Sequence, residues 1–180
     1  MKNTMIVGGT ILMLAATSVL GQDNAANNQS SQGDLYRASE LSLDAFGSAS
    51  LGKYTIDHPS EMRVRNNTRL GAGAGINYFI TRNIGIGGDA YSENTTGAFV
   101  DSASGSLILR LPLCQSGFAP YIFGGGGYQF DMAKKGFIQA GGGMEYRFTR
   151  HVGVFLDARG VLPREVKYYG VGRLGLRLVF

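Results

Sequence analysis

The sequence predicts an all-β fold: an eight-stranded antiparallel up-and-down transmembrane β-barrel. Three observations predict it. Apolar and polar side chains alternate along eight segments of about ten residues each, as in strands whose two faces meet different surroundings. From Leu35 to Phe180 no stretch places apolar residues at helical spacing between helix caps. The connections alternate between tight turns and longer, mostly more polar loops, which is typical of strands that run up and down.

Composition narrows the class of protein further. The 180 residues correspond to one domain, and with 44% hydrophobic residues and only 4 Pro the chain is not an extended linker despite its 28 Gly. A single Cys excludes a disulfide framework, and the Cys and His content excludes the usual zinc patterns. The net charge is +4 and the basic residues are spread along the chain, so the sequence does not predict a nucleic-acid-binding surface.

The N-terminus predicts export. Residues 1–21 have the pattern of a signal peptide, with Lys2 before an apolar stretch over 5–16 and small side chains up to Gly21. That stretch is shorter than the about 20 apolar residues of an anchor helix. Residues 22–40 are then expected to form a flexible periplasmic leader, because 22–33 are only polar or small. The barrel is expected to span 41–180.

Each strand is predicted from its own alternation. The eight segments are 41–51, 69–78, 84–91, 103–111, 121–130, 137–148, 152–161 and 169–180. In the first, Leu41, Leu43 and Ala45 share one face, and Ser42 and Asp44 share the other. The fifth is too rich in Gly for its faces to be assigned. Tight turns are expected at 79–83, 112–118 and 149–151, and loops at 52–68, 92–99, 131–136 and 162–168.

The charged residues indicate which face lies inside. The polar faces carry four acids and six bases, and such balanced charges can neutralise one another inside a narrow lumen. These residues are Asp44, Arg69, Asp89, Arg110, Glu145, Arg147, Asp157, Arg159, Arg173 and Arg177. All but Arg69 and Arg110 are predicted to form a lumen ion network. Those on strands six to eight, from Glu145 to Arg177, are expected to make one connected network. The opposite faces predict a lipid-facing band of Leu43, Leu70, Ile86, Leu109, Leu156 and Leu176.

The aromatic residues favour a membrane barrel over a lipocalin-like soluble barrel, whose apolar face would point inward. Seventeen of the nineteen aromatics lie near strand ends, and only Phe46 and Phe155 are mid-strand. This predicts two interfacial girdles. A soluble sandwich would carry several large rings mid-strand, where its core is thickest.

Three segments carry a resemblance to a known family. They are the turn Tyr78-Phe79-Ile80-Thr81-Arg82-Asn83-Ile84-Gly85, the Gly-rich segment 119–128, and the terminal Leu176-Arg177-Leu178-Val179-Phe180. Together with the exported leader, they resemble the OmpA/OmpX-like eight-stranded outer-membrane barrels of Gram-negative bacteria, over about 41–180. Because the chain stops at Phe180, it is expected to lack the peptidoglycan-binding domain of OmpA.

The resemblance implies a location and partners. It implies an outer-membrane protein in contact with membrane lipids, with both termini in the periplasm. It also implies that Leu176, Leu178 and Phe180 act as the signal that the barrel assembly machinery reads. No extracellular partner is identified by the sequence.

Three functions are compatible with this fold. The first is a structural and interaction barrel that supports the membrane, presents loops and fills its lumen with its own side chains. The second is a small channel that prefers anions because its lumen is rich in Arg. The third, a lipid-modifying enzyme, would need a nucleophile and base, and only His58, Ser60 and Glu61 cluster suitably, without a strained elbow beside them. A non-enzymatic protein with no cofactor or metal is therefore expected, with Cys114 a free turn thiol.

Overall fold

The computed structural model describes residues 35–58, 61–93, 100–113, 116–130, 135–163 and 168–180, with the backbone alone given for 52–58 and 61–67. Its strands are β1 (Glu40–His58), β2 (Glu61–Phe79), β3 (Ile84–Ser92), β4 (Ser102–Arg110), β5 (Phe118–Gln129), β6 (Lys135–Arg147), β7 (Val152–Pro163) and β8 (Tyr169–Val179). Within these residues no helix has the length and hydropathy of a membrane span. The predicted signal peptide over 1–21, and residues 22–34 of the predicted leader, lie outside the described residues.

The eight strands close into one antiparallel barrel. Each strand pairs with the next along the chain, and β8 pairs with β1 from Ser42 opposite Val179 to Leu51 opposite Gly170. Past the end of β8, the Phe180 amide donates to the Leu41 carbonyl at 2.9 Å. Because the sheet closes on itself, the barrel part of the sheet keeps no free edge. The predicted fold class is confirmed.

The first hairpin is longer than the sequence predicts. Residues 52–68 were expected to form a loop, but the β1 and β2 backbones stay paired as far as His58 opposite Glu61. The prediction is wrong here because it ended each strand where the apolar alternation faded. Backbone hydrogen bonds do not require apolar side chains, so a polar segment can continue the ladder beyond the apolar part of the barrel.

The period of two assigns every strand an inner and an outer face. All six residues of the predicted lipid-facing band lie on the outer face and are exposed there: Leu43, Leu70, Ile86, Leu109, Leu156 and Leu176. The Gly-rich β5, whose faces the sequence left open, turns Tyr121 and Phe123 inward and Ile122 outward. The exterior is thus apolar, and the strand faces that carry the charged residues are turned towards the lumen.

The aromatic prediction is right for some rings and wrong for others. Outward rings lie at both ends, at Tyr78, Phe118, Phe148 and Phe180 on the tight-turn side and at Tyr128, Phe130 and Tyr168 on the loop side. Several rings assigned to the girdles are instead buried inside: Tyr36, Phe79, Tyr91, Tyr121, Phe123 and Phe137. The error arises because a position near a strand end fixes the height of a ring along the barrel, whereas parity fixes its face. The side chains of Tyr54 and Phe99 lie outside the described residues.

Inward glycines make room for these rings. A Cβ added to Gly73 would lie 2.6 Å from the Phe46 ring, and one added to Gly175 would lie 2.7 Å from the Phe155 ring. On the outer face, a Cβ on Gly160 or Gly172 would find its nearest neighbour only at 4.0 Å. The inward glycines are therefore required by packing in the lumen, whereas these outward ones leave open space beside the barrel.

Candidate functional site: the lumen

The lumen is a core built from charged and aromatic side chains. Ten charged side chains from six strands pair with one another there, and each lies on the inward parity of its strand: Glu40, Asp44, Asp89, Arg110, Glu145, Arg147, Asp157, Arg159, Arg173 and Arg177. The set contains all eight residues of the predicted lumen network. The structure arranges the ten as two clusters, which we call the turn-end cluster and the loop-end cluster.

In the turn-end cluster, Glu145 and Glu40 hold three guanidinium groups. Glu145 Oε1 accepts from Arg147 Nε at 2.6 Å, and Glu145 Oε2 lies 3.6 Å from Arg110 Nη1 and also accepts from Arg177. Glu40 accepts from Arg110 Nη1 at 3.0 Å and from two nitrogens of Arg147. The side chains of Glu40, Arg110, Glu145 and Arg147 have no solvent exposure.

Asp44 completes this cluster. The Nε and Nη2 atoms of Arg177 donate to its two carboxylate oxygens at 2.8 and 2.7 Å. Asn77 Nδ2 donates to Asp44 Oδ2 at 2.9 Å. Glu40, Asp44 and Glu145 thus face Arg110, Arg147 and Arg177, and the formal charges cancel. Charge-assisted pairs of this geometry are the strong form of the hydrogen bond.

The loop-end cluster consists of two acids and two bases. The Nε and Nη2 atoms of Arg173 donate to the two oxygens of Asp157 at 2.8 Å each, and its Nη1 donates to Asp89 at 3.0 Å. Arg159 Nη1 lies 3.2 Å from each oxygen of Asp89 and 2.8 Å from Gln139 Oε1. The formal charges of Asp89, Asp157, Arg159 and Arg173 also cancel.

The expectation of one connected network is therefore corrected. Among the described residues no ion pair joins the two clusters, because an aromatic layer separates Arg173 from Arg177. Phe46 and Phe155 meet edge to face in that layer at 6.3 Å, and each Arg carries its guanidinium within 6 Å of the Phe155 ring. The Tyr121 hydroxyl donates to Asp157 at 2.7 Å, and its ring lies 6.0 Å from Arg177 Cζ. Tyr121 thus bridges the clusters by other contacts.

The tight-turn end is closed by the segment just before β1. The Tyr36 ring lies 4.7 Å from Arg110 Cζ and 4.3 Å from Arg147 Cζ, and its hydroxyl donates to the Gly117 carbonyl at 2.7 Å. Burial raises the pKa of this hydroxyl above its usual value. Tyr36 is only 3% exposed and covers the turn-end cluster.

Two residues expected in the flexible leader thus belong to the barrel. Glu40 is the first residue of β1 rather than the end of the leader, and Tyr36 is packed against the lumen. Glu40 shares the inward parity of Ser42 and Asp44, so extending the alternation by one step would have found it. Arg110 was placed on a polar face but omitted from the predicted network. The local sequence carries no comparable signal for Tyr36.

A small cavity lies between the clusters. Its volume is about 30 Å³, and its polar lining includes Asp44, Asn77, Asp89, Arg173 and Arg177. That volume accommodates about two water molecules. The free space between the two clusters is therefore small.

The other predicted site residues lie outside the lumen or outside the described part of the chain. Leu176, Leu178 and Phe180 are exposed on the outer face, with Leu176 and Leu178 within β8 and Phe180 just past its end on the tight-turn side. The side chains of His58, Ser60 and Glu61, and the whole of Cys114, are not among the described residues. Within the described residues, no group of three or more His, Cys, Asp or Glu residues could hold a metal ion.

Comparison with known proteins supports the fold. No protein-family model matches the chain, and no curated protein matches its sequence. Among solved structures, it resembles the N-terminal β-barrel domain of Pseudomonas aeruginosa OprF at 17% identity and a TM-score of 0.60, over 80% of this chain and 99% of that one. Neisserial surface protein A is 14% identical with a TM-score of 0.54, over 77% and 96% of the two chains. The attachment invasion locus protein Ail of Yersinia pestis is 13% identical with a TM-score of 0.52, over 79% and 99%.

Removing the central acid of the turn-end cluster is expected to destabilise the barrel. Glu145→Ala leaves three guanidinium groups facing two carboxylates without solvent, which should lower the free energy of unfolding by about 3–5 kcal/mol. Arg150→Ala is the control, because it removes a charge from the exposed turn after β6 and should cost no more than about 1 kcal/mol. Urea denaturation of the refolded variants measures both. Equal stabilities would contradict a buried network.

Proposed function

We propose that this chain is an outer-membrane barrel with a structural and interaction role, which contributes to membrane integrity and presents the loop end of its barrel. The exposed apolar outer face supports membrane insertion, because such a surface is stable in hydrocarbon and unfavourable in water. The fold is shared with outer-membrane barrels, and this likeness supports the outer membrane as the location of the chain. No catalytic activity and no cofactor form part of the proposal.

The observation that carries the structural role is the filled lumen. The side chains of Glu40, Arg110, Glu145 and Arg147 have no solvent exposure, and Tyr36 covers them. Each cluster is electrically neutral, whereas a pore that prefers anions needs uncompensated positive charge along its wall. These features favour a closed barrel over the anion-channel alternative.

The proposed orientation follows from the even number of strands. Both ends of the barrel chain, Glu40 and Phe180, lie on the tight-turn side, as the β1–β8 pairing requires. We place that side in the periplasm and the loop end outside, because outer-membrane barrels have short periplasmic turns and longer external loops. Leu176, Leu178 and Phe180 would then present the assembly signal to the barrel assembly machinery from the periplasm.

Conductance tests the closed lumen directly. The refolded chain in a planar lipid bilayer is expected to show no steady ion current, because the clusters and Tyr36 fill the interior. Glu145→Ala should raise the current by leaving the turn-end cluster unbalanced. A steady current through the unmodified chain, larger for anions, would reject the structural role in favour of the channel.

Membrane exposure of the outer face is tested at Leu176. Leu176→Arg should lower stability in lipid vesicles by about 2–4 kcal/mol if the side chain lies in the middle of the bilayer. Leu113→Arg is the matched control, since Leu113 follows β4 at the tight-turn end and an Arg near the interface costs only about 0–1 kcal/mol. If both variants are as stable as the unmodified chain, the outer face does not contact lipid.

The assembly signal is tested by deleting Phe180. The ring is 61% exposed, and burying a whole side chain contributes only about 1.5–3 kcal/mol, so the deleted chain should keep most of its stability after refolding in detergent. In cells, the amount inserted in the outer membrane should fall. Phe148→Ala is the control, because it removes a similarly exposed ring from the same end. Unchanged insertion of the deleted chain would show that Phe180 is not a signal.

A further inference from the structure

The segment before β1, residues 35–39, lies over the tight-turn end of the barrel without joining the sheet. We call this segment the strap. Pairing of β1 with β2 begins at Glu40, and its pairing with β8 begins at Ser42. Among the described residues, no backbone–backbone hydrogen bond attaches the strap to a strand. The strap can therefore leave the barrel while the ladder of eight strands stays intact.

One side chain provides most of the contact between the strap and the barrel. Tyr36 is buried, whereas the three residues after it are exposed. The centre of its ring lies 4.7 Å from Arg110 Cζ and 4.3 Å from Arg147 Cζ, and its hydroxyl donates to the Gly117 carbonyl at 2.7 Å. Arg147 also donates to the Leu35 carbonyl. Contacts of these kinds are individually weak, so the strap is held less firmly than any strand of the closed sheet.

The junction between the strap and β1 has the backbone geometry of a hinge. Ser39 has a φ of 54°, in the left-handed region, and it is the only non-glycine residue with a positive φ in the described part of the chain. This conformation is unfavourable for a residue with a Cβ atom and persists only where surrounding contacts impose it. When Tyr36 leaves the barrel, those contacts are lost and the backbone at Ser39 can relax.

We propose that the strap is a reversible lid on the turn-end cluster. It moves about Ser39 while the strands stay paired, and in the open state Arg110 and Arg147 meet solvent from the tight-turn side. This inference rests on the closed lumen proposed above and names the part of it that opens. The open lid still leaves the lumen closed to ions, because the aromatic layer and the loop-end cluster lie beyond the turn-end cluster.

Chemical modification of arginine tests the lid on the refolded chain in detergent micelles. Phenylglyoxal reacts only with guanidinium groups that it can reach, and peptide mass spectrometry gives the rate at each Arg. Arg150, exposed in the turn after β6, should react fastest. In the closed structure Arg147 is 1% exposed and Arg173, in the loop-end cluster, is 9% exposed. A faster reaction at Arg147 than at Arg173 in the unmodified chain is therefore expected only if the lid opens.

Two variants weaken the lid to different extents. Tyr36→Ala removes both the ring and the hydroxyl, so the rate at Arg147 should rise about tenfold. Tyr36→Phe keeps the ring and loses only the hydrogen bond to Gly117, so its increase should be smaller. Phe148→Ala is the control, because it removes an exposed ring from the same end and should change the rate by no more than about twofold. The rate at Arg173 should stay constant throughout.

Four results would overturn the proposal. If Arg147 reacts no faster than Arg173 in the unmodified chain, the lid does not open, and this result decides the question even if Tyr36→Ala fails to fold. If Tyr36→Ala leaves the rate at Arg147 unchanged, Tyr36 does not hold the strap. If it raises the rates at Arg147 and Arg173 equally, the whole barrel has loosened. If Arg147 reacts as fast as Arg150 in the unmodified chain, the turn-end cluster is not covered.

Failure of the lid and failure of the closed lumen are distinguishable. A steady current through the unmodified chain rejects the closed lumen. Slow modification of Arg147 in both the unmodified chain and Tyr36→Ala, without a current, rejects the lid and leaves the closed lumen standing.

Discussion

Closure of eight strands around a narrow interior is the constraint on which the rest of the structure depends. An eight-stranded barrel is only wide enough for its own side chains, so every inward residue must pack against residues from other strands. Because successive side chains alternate between faces, each charge placed inward is withdrawn from solvent. Glu145 and Arg147, with no exposure, show the consequence: inside such a barrel a charge needs a partner.

The lumen meets this requirement with two neutral clusters divided by an aromatic layer. On β8, Arg173 and Arg177 are separated by Gly175, whose missing side chain leaves room for the Phe155 ring and the Phe46 Cβ atom. The layer keeps each Arg with its own acids, Asp157 for one and Asp44 for the other. Breaking such a buried pair costs more than the pair itself contributes to stability, because the remaining charge is left buried without a partner.

The two ends of the barrel differ in how completely their buried polar groups are paired. At the tight-turn end, Tyr36 and Glu40 use the chain before β1 to neutralise and cover Arg110 and Arg147. In the loop-end half, buried polar groups are less completely paired, and Arg159 is the clearest example. The described residues of that half also include a buried apolar cluster of Phe137, Val161 and Val171.

The sequence by itself determined the number of strands, their order and, for most of them, the face of each residue. These features depend on a period of two along the chain, which is a local property. Only the tertiary structure decided which charges meet: Asp89 on β3 pairs with Arg159 and Arg173, which lie 70 and 84 residues away in the chain. It also assigned Tyr36 to the lumen. Such contacts depend on the tilt and stagger of the closed sheet, which no single strand encodes.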